Sequence, residues 1–171
     1  MVNAVSLYRN AHWLYKHHIP LLPKLLQLLI FLCYNCSIPY KVVIGKGTKF
    51  SHGGIGVLIN SSVEIGNGCS IGTNCSIVGQ TPFINTPKIK DNVHIGNGAV
   101  IQGPVIIGNN VIIGANAVVN KSVPDFAIVA GIPAKIIGDS RDLGYEVGKS
   151  KADKLDIKEE LSWDTYKGSK R

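Results

Sequence analysis

The chain has 171 residues, of which 45% are hydrophobic and 17% charged, and a formal net charge of +7. That length bounds it to one domain with appendages, and so apolar a composition excludes a disordered chain. The positive balance suits anionic partners, but no basic run is interleaved with aromatic residues, so nucleic acid is not an expected partner.

The charge is unevenly placed. Residues 1–138 hold ten Lys/Arg against three acids, Glu64, Asp91 and Asp125, whereas residues 139–171 hold eight of each. Three segments follow from this shift and from the repeat described below: a helical lead-in over 1–37, a repetitive body over 38–138 and a polar tail over 139–171.

The lead-in places Val5, Leu7, Tyr8, His12, Trp13 and Tyr15 at rough helical spacing. Pro20 and Pro23 interrupt it, and a second helix is expected from about Pro23 to Tyr34. Its run from Leu25 to Tyr34 is almost wholly apolar, but a membrane span needs about 20 such residues. A secretory signal fits poorly, because the apolar run starts late and no small-residue cleavage site follows. The helix is expected to cap an open end of the body or to lie between subunits. The alternative is a membrane-surface helix with Arg9, Lys16 and Lys24 on the headgroup side. His12, His17 and His18 read as solvent or packing residues.

From Ile44 onward the pattern changes. Ile59, Ile65, Ile71 and Ile77 fall six residues apart, and Ile89, Ile95, Ile101, Ile107, Ile113 and Val119 resume that step. Gly follows directly at Gly66, Gly72, Gly96, Gly108 and Gly114, and a small or β-branched residue stands four places after each aliphatic one, as at Cys69, Cys75 and Ala99. A period of six fits neither an α-helix nor a plain strand. It is the hexapeptide repeat of a parallel β-helix, an all-β solenoid in which three hexads close a triangular coil of about 18 residues. The aliphatic residues point inward, and the following Gly or Asn is expected to ease each corner through positive φ. Four to five coils stacked about 4.8 Å apart bury a continuous core.

Two places break the metre. Phe50 to Ile59 is nine residues, a slip of three that inserts Ser51-His52-Gly53-Gly54-Ile55-Gly56. A broken local rule in a strict array is where function is expected. The second break, Gly79 to Lys88, holds two prolines and reads as a loop. The step of six nevertheless survives across it, with Phe83 in register, so a distorted coil side and an extruded loop remain alternatives. The segment from Val118 to Gly138 closes the array. Beyond it, Tyr145, Val147, Leu155, Ile157 and Leu161 mark either a short helix over the coil end or a polar tail.

His52 and His94 are the histidines of the repeat region. Imidazole titrates near neutrality, so His52 suits a general base, with flanking glycines that let a ligand approach the backbone. Ser51, Gly53 and Gly54 are the expected substrate contacts beside it. His94 precedes Ile95 and should point outward, towards a groove or simply to solvent. Cys33 and Cys36 form a lone CxxC without the further ligands a zinc site needs, and Cys69 and Cys75 fill inward slots. No metal is expected, and four buried, reduced thiols suit the cytoplasm. A β-helix carbonic anhydrase, with three histidines on a metal, is disfavoured by having two in the coil.

The element His52-Gly53-Gly54-Ile55-Gly56, the run from Pro87 to Ala99 and the closing segment from Ile112 to Lys135 resemble hexapeptide-repeat acyltransferases. Within that group the chain resembles the serine acetyltransferase-like O-acetyltransferases of bacterial surface-polysaccharide gene sets, and the match covers nearly everything to Gly138. The resemblance implies a left-handed coil and a homotrimer. It makes His52 the base that deprotonates an acceptor hydroxyl for attack on acetyl-CoA, a co-substrate rather than a resident cofactor. Gly96, Asn97, Gly114, Ala115, Lys121 and Lys135 would touch acetyl-CoA in a groove between subunits. Both lysines also make physical sense as partners of its phosphates.

The departures from that family bear on the acceptor. About 36 residues precede the coil, where serine acetyltransferases carry a much longer helical domain. Ser51 stands where the family has an Asp that helps hold serine, and Asn85-Thr86 stand where its loop has Arg-His. Ser37 stands where its His-orienting Asp would be, which leaves Ser37 or a neighbouring subunit to orient His52. The expected acceptor is therefore a sugar of a surface polysaccharide, with L-serine as the alternative and a non-catalytic scaffold as the reading from another class. A polysaccharide acceptor would place the enzyme in the cytoplasm, at the inner face of the membrane.

Overall fold

The computed structural model describes residues 3–143; the expected helix or tail around Tyr145–Leu161 lies outside them. Helix α1 spans Ala4–Lys16 and α2 spans Leu22–Tyr34. Asn3 caps α1 by accepting the Ser6 N–H at 2.9 Å. Pro23 lies in the first turn of α2, and Asn35 in the left-handed region ends that helix.

The body is a parallel β-helix of short strands: β1 Val43–Ile44, β2 Lys49–Phe50, β3 Leu58–Ile59, β4 Glu64–Ile65, β5 Ser70–Ile71, β6 Ser76–Val78, β7 Lys88–Ile89, β8 His94–Ile95, β9 Val100–Gln102, β10 Ile106–Ile107, β11 Ile112–Ile113, β12 Val118–Val119, β13 Ala127–Ala130 and β14 Lys135–Asp139. They form three sheets, one per face of the prism. The first is β1-β4-β7-β10, the second β2-β5-β8-β11-β13-β14, and the third β3-β6-β9-β12. Among the described strands only β14 runs antiparallel, folding back on β13 to close the second sheet.

Register places the isoleucine ladder inward in three columns. Ile65, Ile89 and Ile107 stack in the first sheet, Ile71, Ile95 and Ile113 in the second, and Ile59, Ile77 and Ile101 in the third. All nine are buried, and burying such a side chain stabilises by about 1.5–3 kcal/mol before ordering costs.

The same register settles the loop. Ile65 pairs with Ile89, 24 residues on, whereas Ile89 pairs with Ile107, 18 residues on. The extra six residues leave the coil as an extruded loop, and Phe83 and Ile84 stand out in solvent, Ile84 at 96% exposure.

The corner glycines work differently from expectation. Gly66, Gly72, Gly96, Gly108 and Gly114 do not have positive φ; the left-handed residue comes two places later, at Gly68, Asn74, Gly98, Asn110 and Asn116. The directly following glycine is needed because the next coil stacks on it. A Cβ on Gly96 would stand 2.5 Å from the Ala115 nitrogen.

Helix α1 covers the lower end of the coil. Ala4, Val5, Tyr8 and Ala11 are buried, the Tyr8 hydroxyl donates to the Val42 carbonyl, and Arg9 Nη2 donates to the Gly45 carbonyl at 3.0 Å. The capping role therefore falls to α1, while α2 rests on it and buries mainly Pro23 and Ile30. Among the described residues no helix is long and apolar enough to cross a membrane.

Candidate active site

The three-residue slip folds as a turn over Ser51–Gly54 that is kinked at His52 and Gly53, on the edge between the second and third sheets. His52 sits there at φ 48°, ψ 37°, in the left-handed region. A non-glycine residue in that region costs roughly 1–2 kcal/mol, so the turn holds its histidine against local preference. The imidazole is exposed. Among the described residues none hydrogen-bonds to it; Ser37 engages through its backbone, donating to Val57 and accepting from Ile59.

The glycines around His52 have distinct duties. Gly53, at φ 78°, lies beside the Tyr34 ring, with 3.1 Å from its would-be Cβ to Tyr34 Cε1. Gly54 is buried beneath Ala4 and Phe50, facing α1 rather than a ligand. Gly56 N–H donates to the Tyr34 carbonyl at 3.4 Å, and the Asn74 side chain fills the space above Gly56. Tyr34 and Asn74 therefore shape the turn, and sequence reading missed both. Asn74 had a signal, since it occupies the left-handed corner position of its hexad.

Above His52, the same edge carries Gly72–Asn74, then Gly96–Gly98, then Gly114–Asn116. These corners are joined by Gly98 N–H to the Thr73 carbonyl and Asn116 N–H to the Asn97 carbonyl, at 2.8 and 2.9 Å. Thr73 N–H donates to Asn97 Oδ1 at 2.9 Å. Four expected acetyl-CoA residues, Gly96, Asn97, Gly114 and Ala115, thus share one edge with His52. Ala115 is about 14 Å above it at roughly 4.8 Å per coil. Lys135 opens β14 opposite Ala130, whose Cβ lies 3.0 Å from the would-be Cβ of Gly114.

Lys121 lies elsewhere, past β12 on the edge between the third and first sheets. That edge also extrudes the loop with Asn85 and Thr86. The two loop residues line a groove of about 570 Å³ on the first sheet, with Glu64 and Lys88 paired at 3.1 Å along its floor. In one copy of the chain the loop and Lys121 are therefore separated from His52 by a sheet face. His94 points outward from the second sheet between Ser70 and Ile112. It is exposed, yet the flanking coils desolvate it enough to lower its pKa.

The thiols divide in two. Cys69 and Cys75 are buried and donate to the Lys90 and Gly96 carbonyls at 3.2 Å, and burial pushes both thiols up. Cys36 is buried and pushed up to about 11. Cys33 is exposed, contrary to the expectation of four buried thiols, because it lies near the end of α2 on a side that packs against nothing described.

Comparison with known proteins agrees with this architecture. Residues 86–121 match the family model described as bacterial transferase hexapeptide (six repeats). The serine acetyltransferase of Synechococcus elongatus is 36% identical over 136 residues, covering 78% of this chain and 55% of that protein. The Bacillus subtilis serine acetyltransferase is 32% identical over 152 residues, covering 85% and 70%. The crystal structure of the serine acetyltransferase from Brucella abortus strain S19 in complex with coenzyme A superposes with a TM-score of 0.75. It is 32% identical, with 80% of this chain and 55% of that one covered. The fold and the repeat define a hexapeptide-repeat transferase built on a left-handed parallel β-helix. The chain belongs to the serine acetyltransferase family. It spans little more than half the length of the Synechococcus and Brucella proteins.

Proposed function

We propose that the chain transfers an acetyl group from acetyl-CoA to a hydroxyl group, with His52 as general base. His52 removes the acceptor proton as the oxygen attacks the thioester carbonyl, forming a tetrahedral oxyanion. Collapse of that intermediate breaks the C–S bond, and the imidazolium returns the proton to the leaving thiolate, giving CoA and the acetyl ester. One observation carries the reading: the exposed His52 stands at the foot of the edge formed by Gly96, Asn97, Gly114 and Ala115.

Acetyl-CoA extends along that edge, with Lys135 and Lys121 meeting its phosphates and Ser51, Gly53 and His94 lying towards the acceptor end, while Gly54, buried against Ala4 and Phe50, supports the turn from beneath. Two copies of the chain are needed for this. Lys121 and the extruded loop lie on another edge, and they meet His52 only when the edge of one copy faces that of the next. A cyclic trimer provides that contact three times. Free cysteines throughout the described residues suit a reducing compartment.

L-serine is the acceptor the relatives favour, since those matched over most of this chain are serine acetyltransferases. A sugar hydroxyl is the second reading, and a specific observation favours it. Ser51, Asn85 and Thr86 are uncharged, so these three positions offer nothing to pair with the ammonium and carboxylate of an amino acid, and the Glu64 and Lys88 charges beside the loop are paired with each other. Thiol release from acetyl-CoA, measured against L-serine, free sugars, nucleotide sugars and polysaccharide, separates them. Turnover with L-serine alone establishes the first reading, turnover with a glycan alone the second, and no turnover with any acceptor contradicts both.

A further inference from the structure

The strongest feature that acetyl transfer leaves unused is the outer face of α2. Leu25, Leu28 and Leu32 recur at i, i+3 and i+7, one stripe of the helix, and are between 52% and 69% exposed; Leu21, the residue before the helix, is also exposed. Exposed Trp13 lies on α1 near the turn that joins the two helices. A contiguous apolar stripe on a soluble chain marks an interaction surface, whereas single exposed leucines do not.

The charge around this stripe identifies its partner. Residues 1–63 contain six Lys/Arg and no Asp or Glu; the first acid is Glu64. Lys16 and Lys24, both exposed, flank the turn between α1 and α2. A second copy presenting the same stripe would set one acid-free cationic region against another. An anionic lipid surface complements both the leucines and the lysines. Trp at the boundary between apolar and charged surface matches the place this residue takes at a bilayer interface.

We propose that the α1–α2 hairpin is a docking surface for an anionic membrane, with the leucine stripe entering the headgroup–acyl boundary. With 13 residues, α2 is too short to cross and lies in the surface plane. The helix is about 20 Å long and ends at Tyr34, beside Gly53. Docking therefore holds the His52 turn within one helix length of the bilayer. The inference is independent of which acceptor is used.

The test is sedimentation of the full chain with vesicles of phosphatidylcholine, alone or mixed with phosphatidylglycerol, at low and high salt. The chain is expected to pellet with the mixed vesicles and to be released by salt. Two variants should each reduce vesicle binding by roughly tenfold or more: Leu25→Ser with Leu28→Ser and Leu32→Ser, and Lys16→Glu with Lys24→Glu. All five positions are exposed, and circular dichroism checks that both variants fold; the charge variant alone decides the matter if the leucine variant does not. Failure of the wild-type chain to pellet with mixed vesicles overturns the proposal. So does a leucine variant that binds vesicles normally but loses its oligomeric state in light scattering, which would assign the stripe to a second copy.

Discussion

The ring of Tyr34, the last residue of α2, lies against Gly53, 3.1 Å from where a Cβ on that glycine would stand. Through this contact the helical lead-in braces the turn that presents His52. The turn is neither a free surface loop nor a regular corner of the coil.

Gly53→Ala should therefore act on both stability and turnover. The residue has φ 78°, where a side chain costs roughly 1–2 kcal/mol, and the new methyl would press on Tyr34. Thermal unfolding should show a lower Tm, and turnover of acetyl-CoA should fall while the far-UV spectrum stays that of a β-helix. Unchanged Tm and turnover would mean that Tyr34 does not brace the turn.

Lys121 and Lys135 approach acetyl-CoA through charge, so their loss should appear in KM more than in kcat. Hydrogen bonds to charged groups contribute about 1.5–3 kcal/mol. Replacing either lysine with Ala should raise KM for acetyl-CoA by roughly tenfold or more, with a weaker salt dependence than wild type. Steady-state kinetics at two ionic strengths check this, together with a 3′-dephospho analogue that should be less affected by the substitution.

His94 makes stability depend on pH. Burial by the flanking coils lowers its pKa below the ordinary 6.5, so the unfolded chain binds a proton more readily than the folded one. Stability is then fully present above the unfolded value and is lost as pH falls below about 6.5 towards the lower folded value. Denaturant unfolding from about pH 7 to about pH 5 should show this decline, and His94→Gln should flatten it.

The fold was legible in the chain because a step of six admits one architecture, and every expected core isoleucine is buried. Legibility failed where an insertion kept the metre. Six extra residues at Gly79–Lys88 leave the period intact, so only the pairing of Ile65 with Ile89 distinguishes an extruded loop from a coil side. The corner glycines were assigned the wrong physical duty, since a sequence shows where Gly falls but not which coil stacks on it. In the site, the slip pointed to His52 on its own. Tyr34 did not announce itself, because its role depends on α2 crossing to the turn, a tertiary contact with no periodic trace. That Lys121 and the loop lie on a different edge from His52 became visible only with the three-sheet topology.

Loss of the imidazole tests the central claim most directly. Acetyl-CoA turnover should be measured for wild type and His52→Ala with the acceptor that supports the fastest wild-type rate, and CoA binding measured alongside. A positioned general base contributes about 10²–10⁴-fold. The account predicts a loss of that order in kcat, with CoA affinity and Tm essentially retained. A variant that turns over acetyl-CoA at the wild-type rate would contradict it.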